Sequence, residues 1–319
     1  MRTRFKIVFM TILAVLLMSG FAQAADYPKS AISLIVPAAP GGGTDLNARL
    51  LAKYAKDFLG QSLVVVNVTG AGGFNGSKRV HDAAPDGYTV LFYFNNGMIL
   101  NKISGIAPYS IDGFEIGPRI VSDVGTGIFV NTSSPWKNMQ DFINAAKAKP
   151  GTISVATEIG THSHYLLLSL QEKLGVQLKL VDAGSNTEKT TTLLGGHIDS
   201  MVNSYSTNQS YVKSGDFLCL GFVNKTRHPA FPDVPTIMEQ GLDYSYPGYE
   251  IGLYFPKNTP KEIIATFNEV VKKVTELPAY QADLSKLGYV INYLPDDANY
   301  KDFLEMEALY KSLAASVKK

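Results

Sequence analysis

Short apolar runs alternate with amphipathic stretches along nearly the whole chain after residue 30. "AISLIV" (31–36) reads as a strand and "TDLNARLLAKYAKDFLG" (44–60) as a helix. In that helix Leu46, Leu50, Tyr54 and Phe58 step by four onto one face, and Gly60 stands just past the end. "SLVVVNV" (62–68) is a continuous apolar run, the pattern of a strand covered on both faces. A glycine cluster and a short helix lead to "PDGYTVLFYF" (85–94), a turn entering another buried strand. The same order resumes at "GIFVN" (127–131). It continues through a helix carrying Met139, Phe142, Ile143 and Ala146 on one face, "TISVAT", the helix "THSHYLLLSLQEKLG", "QLKLVD", the helix "NTEKTTTLLGG", "HIDSMVNS" and "DFLCLGFV". The last part returns to helices around the strand "YVINYL" (289–294), with a final amphipathic helix from Asp296. Strand–helix–strand order of this kind predicts an α/β protein with mainly parallel sheets. No long linker separates the two series, which points to two lobes joined by crossing strands.

The first 24 residues break the pattern. Arg2, Arg4 and Lys6 precede an apolar run from Ile7 to Leu17, and Ala22-Gln23-Ala24 closes it with small residues. This is the form of a secretory signal peptide cut after Ala24. The run is short for a bilayer span of about 20 residues. Cleavage moves the net charge from +1 to about −2, a balance that gives no electrostatic case for nucleic acid or an anionic membrane. Cys219 is the single cysteine, in an apolar strand, so it forms no internal disulfide and is expected to be an inert buried thiol. An exported, disulfide-free two-lobe protein suits the periplasm.

Four strand-to-helix junctions carry the candidate chemistry. "PGGGTD" (40–45) places backbone N–H groups at a helix N-terminus, where partial positive charge and unpaired donors hold anions without a basic side chain. Thr44 is the expected N-cap, with Asp45 in the first turn. A tight turn alone would usually need one glycine rather than three. "TGAGGFNG" (69–76) is the second junction; a dinucleotide fingerprint begun at Gly70 would need glycine at Asn75, and no Gly-Lys-Ser/Thr phosphate loop is present. The third, "ATEIGTHSHY" (156–165), offers the hydroxyls of Thr157, Thr161 and Ser163; the fourth, "VDAGSNTE" (181–188), carries Asp182 and Gly184. Ligands of open α/β sheets bind outside the carboxyl ends of strands, where all four junctions fall. A small carboxylate fits such walls. His162 and His164 are two apart and so point to different helix faces; with no accompanying Cys pair or H-E-x-x-H, they are expected at the surface or at a cap, and no metal is expected. No G-x-S-x-G elbow supports a hydrolase.

The run "VPAAPGGGTDLNARLLAKYAKDFLGQSLVVVNVTGAGGFNGSKRVHDAAPDGYTVL" resembles the N-terminal signature of the Bug family, the periplasmic solute receptors of tripartite tricarboxylate transporters. The resemblance continues through "KAKPGTISVAT", "LLGGHIDSMV", "FPDVPTIMEQG" and "GLYFPKNTP", across essentially all of the chain after the leader. It implies a two-lobed periplasmic binding-protein fold (type II-like) that closes on a ligand, performs no chemistry and uses no cofactor. With the elements above, lobe 1 is expected at 25–125 plus 248–319 and lobe 2 at 126–247. The implied partners are a small carboxylate and two integral-membrane transporter subunits, the receptor itself being a monomer.

The implied ligand contacts are Pro40, Gly41, Gly42, Gly43, Thr44 and Asp45, with Gly70, Ala71, Gly72 and Gly73, often through water. On the second lobe they are Thr157, Thr161, Asp182, Gly184 and Asn203, with Glu158 and His162 on the same junction. Two features depart from the family pattern: Asp182-Ala183-Gly184 stands where Tyr-Lys-Gly is common, and Thr157-Glu158-Ile159-Gly160 replaces a Ser/Gly-rich loop. Two acids facing the cleft would repel a tricarboxylate such as citrate and favour one carboxylate with a distal amine, hydroxyl or neutral group; acids turned to solvent or capping helices would not. The alternative function is a secreted hydrolase or lyase acting on a small carboxylate.

Overall fold

The computed structural model describes residues 27–317, so the expected leader lies outside the described residues. Two sheets organise the chain. The first has the order β11-β4-β10-β3-β1-β2. It is built from β1 (Ile32–Val36), β2 (Leu63–Asn67), β3 (Thr89–Phe94), β4 (Phe114–Asp123), β10 (Tyr249–Pro256) and β11 (Val290–Leu294). The second has the order β7-β6-β8-β5-β9. Its strands are β5 (Thr126–Asn131), β6 (Ser154–Thr157), β7 (Lys179–Asp182), β8 (Ser200–Ser204) and β9 (Phe217–Phe222). The chain crosses from the first sheet to the second between Asp123 and Thr126, and returns between Phe222 and Tyr249.

Neither sheet is mainly parallel. β1 pairs in parallel with β2 and β3, and β6 with β7 and β8, as strand–helix–strand units require. The crossing strands reverse this: β10 runs antiparallel to both β3 and β4, and β5 to both β8 and β9. A strand arriving from the other sheet has no crossover helix to force it parallel, and antiparallel pairing accommodates it.

The helices on the first sheet are α1 (Gly43–Leu59), α2 (Phe74–His81), α3 (Asn95–Ile103), α8 (Lys261–Glu276), α9 (Pro278–Lys286) and α10 (Asp296–Val317). On the second are α4 (Met139–Ala148), α5 (His162–Leu174), α6 (Asn186–Leu194) and α7 (Tyr205–Ser214). Gly60, at φ 68°, ends α1 in the left-handed conformation and returns its N–H to Lys56, as expected of a glycine past a helix end. The expected core face of α1 is displaced, however. Ala48, Leu51, Ala55 and Leu59 are the buried set, while Leu46 and Phe58 stay 41% and 39% exposed. Steps of four advance 400°, so a strict i+4 series drifts around the helix, and the small alanines let the neighbouring stripe approach β1. β2 is likewise an edge strand with Val64 48% exposed, rather than one covered on both faces. In α4 the expected face holds: Met139, Phe142, Ile143 and Ala146 are fully buried.

Candidate functional site

The carboxyl ends of β1 and β2 carry the two glycine turns. In the first, Asp45 folds the turn onto itself: its buried carboxylate accepts from Gly41 N–H, Arg49 Nε and Asn67 Nδ2, each at 2.9 Å. Burial alone would raise its pKa, but these three partners outweigh that and hold it below the ordinary carboxylate value. Asp45 is therefore turned inward, and the backbone of the turn is what faces outward. The helix N-cap is Gly42 rather than Thr44. The first intrahelical bond is Leu46 N–H to Gly42 C=O at 3.0 Å, which leaves the N–H groups of Gly43, Thr44 and Asp45 without intrahelical partners. A side chain at Gly43 would put its Cβ 2.8 Å from the Tyr289 hydroxyl, so any larger residue there would have to displace the Tyr289 side chain.

The second turn runs at positive φ throughout: 111° at Gly70, 48° at Ala71, 56° at Gly72 and 87° at Gly73. Ala71 is one of two non-glycine residues at positive φ among those described, a conformation that costs about 1–2 kcal/mol and needs support from its surroundings. Support comes from β3 and α3. The Tyr93 hydroxyl donates to Gly72 C=O, and Asn101 Nδ2 donates to the same oxygen at 3.0 Å. Gly73 N–H closes the turn onto Gly70 C=O at 3.0 Å, leaving the N–H groups of Ala71 and Gly72 outside that bond.

On the second sheet the β6–α5 junction is stapled internally. Thr157 and Ser163 share a hydroxyl–hydroxyl bond of 2.8 Å, Glu158 N–H donates to Ser163 Oγ at 3.2 Å, and the Thr161 hydroxyl donates to Glu158 C=O at 2.7 Å. The hydroxyls expected as ligand donors thus shape the loop. Asn203 is also committed: its amide donates to Asn186 C=O at 3.0 Å and Thr190 Oγ1 at 3.2 Å, and accepts from Ser204 N–H at 2.9 Å. Ser185 caps α6 in a reciprocal capping box with Glu188, and Gly184, at φ 74°, makes the turn before it.

The two acids of the second wall separate in role. Asp182 is exposed and receives weak 3.4 Å bonds from Ile159 N–H and Gly184 N–H, bracing the two loops. Glu158 is half-buried, and its charge is felt on the other sheet: after burial, it contributes to raising the pKa of Tyr93, and it acts also on Tyr249. Burial pushes the Glu158 carboxyl itself up, against the attraction of Lys189.

His162 is buried, at 3% exposure, and not a surface or capping residue. Its Nδ1 meets Asn96 Nδ2 at 2.8 Å and the Tyr310 hydroxyl at 3.1 Å, and its ring lies 4.1 Å from that of Tyr249. These contacts join α5 to α3 and α10. Ser104 adds a second tie, 3.3 Å from the Tyr165 hydroxyl. At the crossing point, the buried Asp123 accepts from Ser204 Oγ at 2.7 Å and Gly125 N–H at 2.9 Å. Burial raises its pKa against those bonds. No His/Cys/Asp/Glu group suited to a metal exists among the described residues.

Sequence reasoning missed Lys189, Asn96, Tyr93 and Tyr310. Lys189 alone left a trace, as a single cation followed four residues later by Leu193; both prove to be buried on the inner face of α6.

Two mixed α/β units, joined by crossing strands and facing each other with the loops at their strand ends, define a solute-binding protein of the periplasmic type. Residues 47–313 match the family described as "Tripartite tricarboxylate transporter family receptor" (TctC). A protein from the gbd 5′ region of Cupriavidus necator is 31% identical over 280 residues, covering 87% of this chain and 84% of its own. The periplasmic binding protein BugD superposes with a TM-score of 0.79 at 28% identity, over 92% of this chain and 99% of that one. MatC of Rhodopseudomonas palustris, solved with bound malate, shares the fold at a TM-score of 0.78 and 24% identity, over 90% and 100% of the two chains. The chain belongs to the Bug/TctC family of tripartite tricarboxylate transporter receptors. Receptors of this family are periplasmic, and no helix among the described residues is long and apolar enough to cross a membrane.

Proposed function

We propose that this chain captures a small organic carboxylate in the periplasm and delivers it to integral-membrane transporter subunits, performing no chemistry on it. Lobe 1, residues 25–125 plus 248–319, and lobe 2, residues 126–247, close on the ligand about the crossing at Asp123, and the N-terminal signal peptide accounts for export.

The observation that carries this reading is the pairing of two glycine turns with free donors. The first-turn N–H groups of Gly43 and Thr44 and those of Ala71 and Gly72 stand at the ends of the adjacent strands β1 and β2. Backbone donors at such positions bind carboxylates without a basic side chain. MatC, with its bound malate, is a precedent for a small acid in this fold.

Thermal unfolding with a panel of small mono-, di- and tricarboxylates tests the reading. A ligand at a hundredfold excess over its Kd adds about 2.7 kcal/mol of stability. A panel that leaves the melting temperature unchanged contradicts a receptor for these acids, and turnover of a bound acid would favour an enzyme.

A further inference from the structure

The last helix, α10, buries Asn299, Phe303, Tyr310 and Ala314. At 100° per residue these positions fall within about 60° of one another, so the helix lies on the rest of the chain along one line. The two ends of that line meet different sheets. Near the start, Asn299 Nδ2 donates to Gly117 C=O at 2.9 Å, Asp302 pairs with the buried Arg119, and the Phe303 ring stands 6.4 Å from that of Tyr254. Gly117 and Arg119 belong to β4 and Tyr254 to β10, so this end is fixed to the first sheet. Tyr310 lies about 12 Å further along the axis. There its hydroxyl is 3.1 Å from Nδ1 of His162, the first residue of α5 on the second sheet.

Asn96, from α3 on the first sheet, joins at the same point. Its Nδ2 donates to His162 Nδ1 at 2.8 Å and is 3.4 Å from the Tyr310 hydroxyl. All three side chains are buried, and Asn96 Oδ1 and His162 Nε2 have no partner. Apolar side chains would fill this space without unmet groups, so adhesion alone does not account for the set. Directional bonds hold two packed surfaces in one alignment, where apolar contacts would let them slide. His162 passes that alignment to the β6–α5 loop. It stands between Thr161 and Ser163, and the loop is stapled by the Thr157–Ser163 bond of 2.8 Å and the Thr161 Oγ1 to Glu158 C=O bond of 2.7 Å.

We propose that α10 is a rigid arm of the first sheet and that Tyr310, with Asn96 beside it, holds the β6–α5 loop in place opposite the glycine turns by gripping His162. Resting on the receptor reading above, this makes Tyr310 and Asn96 positioning residues for solute capture, acting through His162. The arm is anchored at Arg119 and Asn299's partner Gly117, and its working end is a single hydroxyl.

Pulsed electron paramagnetic resonance between nitroxides at Lys56→Cys and Lys147→Cys, in a Cys219→Ala background, tests this. Both positions are exposed, one on α1 of the first sheet and one on α4 of the second. Two variants cut the grip from either side: Asn96→Leu with Tyr310→Phe, and His162→Leu. Each is expected to make the inter-sheet distance distribution at least twice as wide while the far-ultraviolet circular dichroism spectrum keeps its native form. Tyr254→Phe removes another buried hydroxyl, one that meets Asn95 within the first sheet, and is expected to leave the width unchanged. An unchanged width in either folded grip variant overturns the proposal, as does equal widening in Tyr254→Phe. The distances are measured without solute, so either result leaves the receptor reading standing, and a failure of that reading leaves the distances standing.

Discussion

Asn96 Nδ2 donates to His162 Nδ1 at 2.8 Å, joining the helix after β3 to the helix after β6 across the two sheets. An amide nitrogen only donates, so the ring nitrogen it meets is unprotonated and the imidazole is neutral. Burial, with the nearby charge of Lys189 acting in the same direction, takes the His162 pKa down to about 3. In the unfolded chain the ring titrates near 6.5, so between these values the unfolded state binds more protons. Stability therefore falls as pH is lowered from about 6.5 towards about 3. Urea unfolding between pH 7 and pH 4 should show a shallower decline in His162→Gln than in the native protein. Identical slopes would mean that His162 is not held neutral.

Asp45 governs the first glycine turn through three bonds from Gly41, Arg49 and Asn67. Asp45→Ala leaves the Gly41 N–H without its acceptor and takes one of two acceptors from the Asn67 amide, which keeps Ala38 C=O, at a cost of roughly 1–3 kcal/mol. Because the folded-state pKa is depressed, this stabilisation is present above the unfolded value and is lost as pH falls through the folded one. Urea unfolding at pH 7 measures the loss, and a variant as stable as the native protein would contradict it.

A side chain at Gly73 meets the Tyr93 hydroxyl and is also strained at φ 87°. Gly73→Val is expected to abolish carboxylate binding while the far-ultraviolet circular dichroism spectrum keeps its native form. Gly151→Ala supplies the control, since it has a similar φ of 70° with open space around it, so it carries backbone strain of about 1 kcal/mol without touching the site. Binding retained by Gly73→Val, or lost equally in Gly151→Ala, would detach the second turn from the ligand.

The two glycine turns were legible because clustered glycines between a strand and a helix punctuate a sequence wherever they occur. The face of α1 was less so. Leu46, Leu50, Tyr54 and Phe58 are the larger apolar residues, yet the stripe of Ala48, Leu51, Ala55 and Leu59 packs closest to the sheet. Strands β4 and β10 passed unmarked, because "FEIGPRIVSD" and "YEIGLYFP" mix glycine, proline and charge into runs that pair only across distant segments. The side chains that brace the site were invisible for the same reason. Tyr93 reaches Gly72, and Tyr310 reaches His162 from the last helix, 148 residues away. Periodicity reports which face of an element is apolar; it carries no information about which distant tyrosine completes a turn.

Cys219 was legible and gives a simple check. Burial pushes its thiol up to about 12, against one backbone hydrogen bond from Gly221. An aromatic disulfide reagent at pH 8 should leave the native protein unlabelled and titrate one thiol per chain in guanidinium. Rapid labelling of the native protein would place Cys219 in an open position.

The central claim is that one small acid touches both sheets at once. Backbone amide NMR on addition of malate tests it most directly. The account predicts shift changes concentrated at Gly43 and Thr44, at Ala71 and Gly72, and on the opposite wall at Glu158 and His162. Changes confined to one sheet, or lying away from all three groups, would contradict it.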